Sequence, residues 1–111
     1  MAIKSGQPIA STTITATTDT TVTNSTTGET KEVYSLVVHE TGGASPGLDL
    51  YLSPDATSAS GTRIEQITLG ANESRELKPV LVGVGRYLII RSSLGDVNFH
   101  GAYTLRSGGD V

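Results

Sequence analysis

The stretch EVYSLVVHETGGASPGLDLYLS, residues 32–53, carries the clearest secondary-structure signal in the chain. In its second half, Leu48, Leu50 and Leu52 alternate with more polar residues, which is the pattern of a half-buried β-strand. In its first half both sets of alternate positions are partly apolar, which indicates a strand in the middle of a sheet. TGGASPG separates the two as a loop. This stretch therefore predicts two strands and an all-β chain.

Similar extended segments follow along the rest of the chain. They are TRIEQITLG, RELKPVLV, RYLIIRSS and DVNFHGAYTLR, residues 62–70, 75–82, 86–93 and 96–106. Turn residues separate them, and no long segment has the apolar period of a helix. With the Thr-rich segments near the N-terminus, we count seven or eight short strands. This number and spacing predict a single-domain antiparallel β-sandwich or jelly roll.

Two of these segments depart from simple alternation. Ile64 and Ile67 are both expected in the core, although they are three positions apart. A β-bulge near Glu65 and Gln66, or a short helical turn, would direct Ile67 inward. In the following segment, Pro79 lacks the amide hydrogen that a central strand donates. That segment is therefore expected at a sheet edge or crossing between sheets.

The N-terminal part of the chain has a different composition. Eleven of the nineteen residues from Thr12 to Thr30 are threonine, and the large apolar side chains among them are Ile14 and Val22. Threonine favours extended backbone, but these segments have little to bury, so they are expected to form polar edge strands or an arm. The expected organisation is an N-terminal arm with polar edge strands (1–31), a β-sandwich core (32–106) and a frayed C-terminus (107–111).

We expect residues 2–18 to form an arm that becomes ordered on a partner or on a sister subunit. The residues expected at this interface are Ile3, Lys4, Ile9 and Ile14, and the three isoleucines would act as apolar anchors. Such an arm would pair with its neighbour by strand addition.

Overall composition limits the classes of function. A chain of 111 residues fits one domain, and its net charge of −3 gives no reason to expect nucleic acid or an anionic membrane as partner. The absence of cysteine excludes disulfides and thiolate zinc sites. The N-terminus lacks the apolar stretch of a secretory signal, and no segment has the length of a membrane helix. We therefore expect a soluble protein.

Residues with catalytic or metal-binding chemistry are few and scattered. His39 and His100 lie in predicted strands, where a single histidine is more often a packed or surface residue than a ligand. They would hold a metal ion only if they converged with Glu40 or Asp49. No serine lies in a GxSxG motif and no glycine pair lies in a phosphate-binding loop, so a small hydrolase is disfavoured. The sequence predicts no enzyme activity, cofactor, metal or small-molecule substrate.

The layout of the chain resembles that of small virion proteins of tailed bacteriophages. The resemblance covers residues 32–106, about two-thirds of the chain, and follows a Thr-rich lead-in. It lies in the succession of EVYSLVVHETGG, LDLYLSPDATSASGTRIEQITLG, ANESRELKPVLVGVGRYLIIRSS and VNFHGAYTLR.

The resemblance implies a β-sandwich or jelly-roll component of the virion, and in particular a capsid decoration (cement) protein. Such a protein would be made in the host bacterial cytoplasm and would bind the major capsid protein on the capsid surface. It would form a homo-oligomer, with a trimer favoured, and the arm could reach the capsid. The resemblance carries over no catalytic residue. Neck and tail structural proteins are the nearest alternatives.

A carbohydrate-binding or adhesin module is the alternative from another functional class. Sugar rings stack on exposed aromatic side chains, and the chain has four tyrosines, one phenylalanine and no tryptophan. Phe99 and Tyr103 are expected to fill the core, which leaves few aromatic residues for a sugar platform.

Overall fold

Nine β-strands form the fold of the computed structural model, which describes residues 6–25 and 28–107. The strands are β1 (Gln7–Ile14), β2 (Thr20–Ser25), β3 (Glu29–Glu40), β4 (Gly47–Ser53), β5 (Thr62–Thr68), β6 (Ser74–Glu76), β7 (Val80–Val82), β8 (Arg86–Ser92) and β9 (Val97–Ser107). A short 3₁₀ turn, Ser58–Ser60, lies between β4 and β5. The predicted all-β class is confirmed.

The strands form two antiparallel sheets. The first has the order β1-β9-β3-β6, with β7 also paired to β3, and the second has the order β2-β8-β4-β5. Because β6 and β7 pair with different parts of the same edge of β3, they occupy one strand position between them. The nine strands therefore fill eight positions in two four-position sheets, which is a jelly-roll sandwich. This confirms the predicted sandwich or jelly roll.

Pro79 explains why nine strands are found where seven or eight were predicted. The segment taken as one strand is divided into β6 and β7, and Pro79 lies between them. At the break, the Leu77 amide donates to the Leu36 carbonyl over 2.8 Å, and Leu77 enters the core. A proline cannot donate to the ladder, so the pairing with β3 is interrupted there. The predicted edge position is confirmed.

The core lies between the two sheets. Its buried apolar residues are Ile9, Ile14, Val22, Val33, Leu36, Val38, Leu48, Leu50, Leu69, Leu77, Val82, Leu88, Ile90, Val97 and Phe99. They come from seven of the nine strands and from the segments that flank β6. Burial of their apolar surface is the main force that holds the two layers together.

β-Bulges set the inward face of several strands. In β1, Ile9 and Ile14 are five positions apart and would face opposite sides of a regular strand, yet both are buried. The register with β9 shifts by one residue between Ile9 and Thr12, which brings both isoleucines to the core side. In β3, Tyr34 is the extra residue opposite β9, and it projects into solvent.

The bulge predicted in the TRIEQITLG segment is present in β5. Arg63 and Glu65 pair with adjacent residues of β4, so Ile64 is the extra residue, one position before the predicted site. Ile67 packs against the core as expected. The expectation for Ile64 is wrong, because its side chain is 37% exposed.

The Thr-rich segments are edge strands of the same sandwich: β1 ends one sheet and β2 ends the other. They supply Ile9, Ile14 and Val22 to the common core. The division drawn after residue 31 therefore follows a change of composition, and an arm over residues 1–31 stays a prediction about the assembled state. Of the predicted frayed C-terminus, Ser107 ends β9 and residues 108–111 lie outside the described residues.

Candidate functional site

One side of the sandwich carries an apolar groove between the two sheets. Its volume is about 270 Å³, and β4 and β5 form one wall while the segment from Leu77 to β7 forms the other. The lining residues are Leu50, Leu52, Ile64, Glu65, Leu77, Lys78, Pro79, Val80 and Leu81. We call this surface, defined by those residues, the lateral groove.

The lateral groove is open because of irregularities in both of its walls. In a bulge, two residues of one strand oppose one residue of its partner, so Ile64 and Glu65 can both turn toward the groove. On the other wall, Pro79 interrupts the sheet and the strands beside it are three residues each. Neither edge is long and regular enough to close the space between the sheets.

Two apolar side chains at the groove face solvent. Ile64 is 37% exposed and Leu81 is 54% exposed, whereas Leu50 and Leu77 beneath them are buried. Exposed apolar side chains that cluster around a cleft mark an interaction site more strongly than single ones do. Sequence reasoning did not single out this surface. The signals that could have found it were the broken alternation at Ile64 and the proline two positions before Leu81.

Opposite charges lie on the two walls of the groove. Glu65 belongs to the β5 wall and Lys78 to the other wall. Glu65 is partly exposed and Lys78 is exposed, and neither has a salt bridge to any other residue that the structure describes. The guanidinium of Arg63, two positions before Glu65, lies 3.7 Å from the Asp49 carboxylate instead. The groove therefore presents an apolar centre between an available acid and an available base.

A second, polar groove lies near the ends of β4 and β8. Its volume is about 330 Å³, and its lining residues are Thr17, Gly47, Asp49, Gln66, Arg91, Ser92 and Ser93. Its charged groups already have partners in the chain: Arg91 donates to Asp19 over 3.1 Å, and Asp49 lies near Arg63. None of the lining residues is aromatic, so this groove lacks the stacking surface that a sugar ring needs.

Asp19 holds the β1–β2 loop against the sandwich. It accepts hydrogen bonds from the Ser58 amide at 2.8 Å and the Ser58 hydroxyl at 2.7 Å, in addition to the Arg91 guanidinium. Burial by itself raises the pKa of Asp19, but the hydrogen bonds from Ser58 and Arg91 outweigh it, and the net effect is a lowered pKa. The carboxylate therefore acts as a structural link between three segments.

Glu40 has the same role at the end of β3, and its carboxylate is fully buried. It accepts from the amides of Asn72 at 2.8 Å, Gly42 at 2.7 Å and Gly43 at 2.9 Å. The hydrogen bond from Asn72 is the largest influence on the pKa of Glu40, and the backbone amides together lower it despite burial. Glu40 thus joins the β3–β4 loop to the β5–β6 loop.

The residues considered for a metal site do not converge. His39 and His100 lie on the outer face of the first sheet, where His39 pairs with Asn98 and His100 pairs with Val37, so they are diagonal neighbours. His39 is hydrogen-bonded to Ser74. Glu40 points to the opposite, inner face, and Asp49 belongs to the other sheet. No group of three or more potential metal ligands occurs in residues 6–25 and 28–107.

The predicted interface residues of the arm fall into two pairs. Ile9 and Ile14 are 8% and 1% exposed, in the core of their own domain, and β1 pairs with β9. Ile3 and Lys4 lie outside the described residues. A contact made by Ile9 and Ile14 with a neighbour would require that β1 be exchanged between copies. The interface role of these four residues stays a prediction.

The aromatic residues are mostly used within the sandwich. Phe99 is buried, and Tyr103 packs against the core with the Lys31 ammonium group 4.4 Å from its ring centre. Burial lowers the pKa of Lys31, whose ammonium donates to the Thr23 hydroxyl across the sandwich. Tyr34 is the aromatic side chain most exposed among the described residues, at 41%. No helix in that part of the chain is long and apolar enough to span a membrane.

Comparison with known proteins finds likeness in structure but not in sequence. No family model and no curated protein matches the chain. Similar solved structures include two crystal structures of pentameric capsid proteins isolated from metagenomic phage sequences. One is 18% identical, with a TM-score of 0.45 over 94% of this chain and 65% of that chain. The other is 17% identical, with a TM-score of 0.38 over 90% and 61%.

This chain therefore spans less than two thirds of the length of either capsid protein. Likeness at this level concerns the arrangement of strands alone, because the same fold serves unrelated functions.

Proposed function

We propose that the chain is a non-enzymatic structural protein of a phage virion, and specifically a capsid decoration (cement) protein. In this role it binds the major capsid shell as a symmetric oligomer and stabilises it. The observation that carries the proposal is the lateral groove, where exposed Ile64 and Leu81 surround an apolar cleft on the outside of a rigid sandwich. The groove indicates a chain that associates with other protein subunits, and the sequence layout, which resembles that of small virion proteins, supports a virus particle as the assembly.

Weak contacts with the shell are enough for such a role if they are repeated. A symmetric oligomer on a symmetric lattice makes the same contact several times, and linked contacts raise avidity by about 10²–10⁴ when the geometry allows all of them to form together. The contact of a single copy with the shell need not be tight on its own. We propose a trimer on the three-fold positions of the shell. The two similar structures are described as pentameric, and a pentamer is the competing stoichiometry.

The jelly-roll fold occurs both in viral capsid domains and in lectins, so the fold alone does not distinguish these two functions. The chemistry of the surface has to distinguish them. The lateral groove is lined by aliphatic residues and the polar groove has no aromatic lining. An aliphatic cleft favours a protein partner, since protein interfaces bury aliphatic side chains whereas sugars stack on rings.

The proposed arm contact has to be tested with a shorter deletion than the sequence suggests. Removing residues 2–18 would remove β1 together with Ile9 and Ile14, and the sandwich would lose two core residues. Removing residues 2–5 takes away Ile3 and Lys4 and leaves β1 whole.

Cosedimentation with capsid shells tests the proposal directly. If a major capsid gene lies beside the gene for this chain, shells assembled from its product are the binding partner to use. We expect the chain to bind expanded shells at a fixed ratio and to raise the temperature at which they disassemble. Absence of binding to such shells, together with binding on a glycan array, would replace the proposal with the carbohydrate-binding alternative.

A further inference from the structure

We propose that the lateral groove joins two copies of the chain about a two-fold axis, groove against groove. The inference rests on the self-association contained in the proposed function, and it assigns a surface to it. It is carried by the arrangement of charged and apolar residues on the two walls of the groove.

The charges on the two walls are complementary to each other. In a two-fold contact, if residue i of one copy meets residue j of the other, then j also meets i. A two-fold axis that runs along the length of the groove would bring the β5 wall of one copy against the β6–β7 wall of the other. Glu65 would then face Lys78 of the second copy, and Lys78 would face Glu65 of the second copy. Both pairs are of opposite charge, which favours this orientation over others.

The apolar residues follow the same arrangement. Ile64 lies on the β5 wall and Leu81 on the other wall, and both are exposed in the single copy. The two-fold axis that pairs the charges also places Ile64 against Leu81 of the second copy. Their apolar surface would leave water at the centre of the contact, with the charged pairs around it. This is the usual arrangement of a protein interface.

Side chains rather than added strands would make this contact. The bulge at Ile64 disrupts the regular ladder of β5, and bulged edges are poor templates for a further strand. The other exposed large apolar residues in the described part of the chain are Tyr34, Val84 and Leu94. They come from β3 and from two separate turns, whereas the groove supplies an apolar pair and a matching pair of charges on one surface.

A contact of this kind produces an even number of copies. Two single chains would give a dimer, and trimers that use the contact would associate in pairs. On a shell, the contact would lie on the two-fold axes between neighbouring trimers, so that it links decoration oligomers to one another.

Charge reversal tests the proposal by sedimentation velocity of the full chain over a wide range of concentration. Glu65→Lys alone and Lys78→Glu alone each create two like-charge pairs, so each is expected to weaken self-association at least about tenfold. When the two variants are mixed in equal amounts, every pair is again of opposite charge, and association should return. The double variant Glu65→Lys/Lys78→Glu should associate as the natural chain does.

A matched pair of apolar variants gives the control. Leu81→Ser should weaken association, whereas Leu94→Ser removes a side chain of similar exposure outside the groove and should have no effect. All variants should keep the unfolding temperature of the natural chain within a few degrees, because the altered side chains are exposed or partly exposed.

Three results would overturn the proposal: a natural chain that stays single or forms only odd-numbered oligomers, single reversals that associate normally, or a mixture that fails to recover. The assay contains no capsid, so such a failure leaves the shell-binding test of the proposed function standing. Conversely, normal self-association without shell binding would overturn the proposed function alone.

Discussion

The two sides of the sandwich use the same structural device with opposite results. On one side the edge strand β1 is bulged opposite β9, and the extra residue brings Ile14 into the core. On the other side β5 is bulged opposite β4, and the extra residue, Ile64, turns toward an open groove. The difference between the two sides lies in the edge of the other sheet that faces the bulge. The bulge in β1 faces β2, an edge strand of six residues, and the sandwich is closed there. The bulge in β5 faces an edge that is short and broken by Pro79, and a binding surface is open there.

The largest expected difference between the two sides is in the free energy of unfolding. Ile14→Ala removes a side chain that is 1% exposed and should cost about 2–5 kcal/mol, since the core around it can collapse only in part. Ile64→Ala removes one that is 37% exposed and should cost less than about 1 kcal/mol. Urea unfolding of both variants measures the difference. Equal costs would mean that the β5 side is as closed as the β1 side.

A smaller effect is expected from the buried carboxylate that holds the loops beside β5. Glu40→Gln keeps the shape of the side chain but removes its charge, so the amides of Gly42, Gly43 and Asn72 lose a charged acceptor. The variant should unfold at lower denaturant concentration at neutral pH.

The pH dependence of this effect has a definite sign. The pKa of Glu40 is lowered in the folded state, chiefly by the Asn72 amide, so its stabilising contribution is present above the ordinary value of 4.5. It is lost as pH falls from there through the folded-state pKa. The natural chain and Glu40→Gln should therefore converge in stability in acid. A gap that stays constant down to strongly acid pH would contradict this account.

On the β1 side the corresponding carboxylate is Asp19, and its effect should be weaker. Its side chain is 22% exposed, and two of its three hydrogen bonds come from Ser58, in the loop after β4. Asp19→Asn should cost about 1 kcal/mol at neutral pH. Its contribution to the free energy of unfolding is also lost as the pH falls below the ordinary pKa of 3.8, because the hydrogen bonds of the folded state lower the pKa of Asp19. Denaturant unfolding of Asp19→Asn and Glu40→Gln under the same conditions compares their losses in free energy of unfolding. A larger loss for Asp19→Asn would contradict the expected order.

The smallest effect is expected at Arg63, on the outside of the open edge. Its guanidinium is 3.7 Å from Asp49 and its side chain is 51% exposed, so water screens the pair. Arg63→Gln should change the free energy of unfolding by less than about 0.5 kcal/mol. Thermal unfolding at low and high salt checks this, and a clear salt-dependent loss would show that the pair matters more than its exposure suggests.

Alternation of side chains was sufficient to predict the class of fold. The leucines of β4, and Leu88 and Ile90 of β8, face the core as their patterns indicate. Strand order was not accessible from the sequence, because the pairing of β1 with β9 and of β2 with β8 joins segments at opposite ends of the chain. Those pairings depend on contacts between sheets rather than on local pattern.

The candidate site was harder to predict than the fold. The sequence directed attention to Ile3, Lys4, Ile9 and Ile14, yet two of these fill the core and two lie outside the described residues. Ile64 was predicted to lie in the core, because the local sequence does not show to which face an apolar side chain at a bulge points. Glu65 and Lys78 are thirteen positions apart in sequence, and only the folding of the two sheets brings them to one groove.

Hydrogen exchange of the natural chain at low and high protein concentration tests most directly whether the open side is the contact surface. We expect amide protection to rise with concentration in residues 62–68 and 77–82 and to stay constant in residues 7–14 and 20–25. Added protection confined to β1 and β2, with none at the lateral groove, would contradict it and would place the contact on the Thr-rich side of the sandwich.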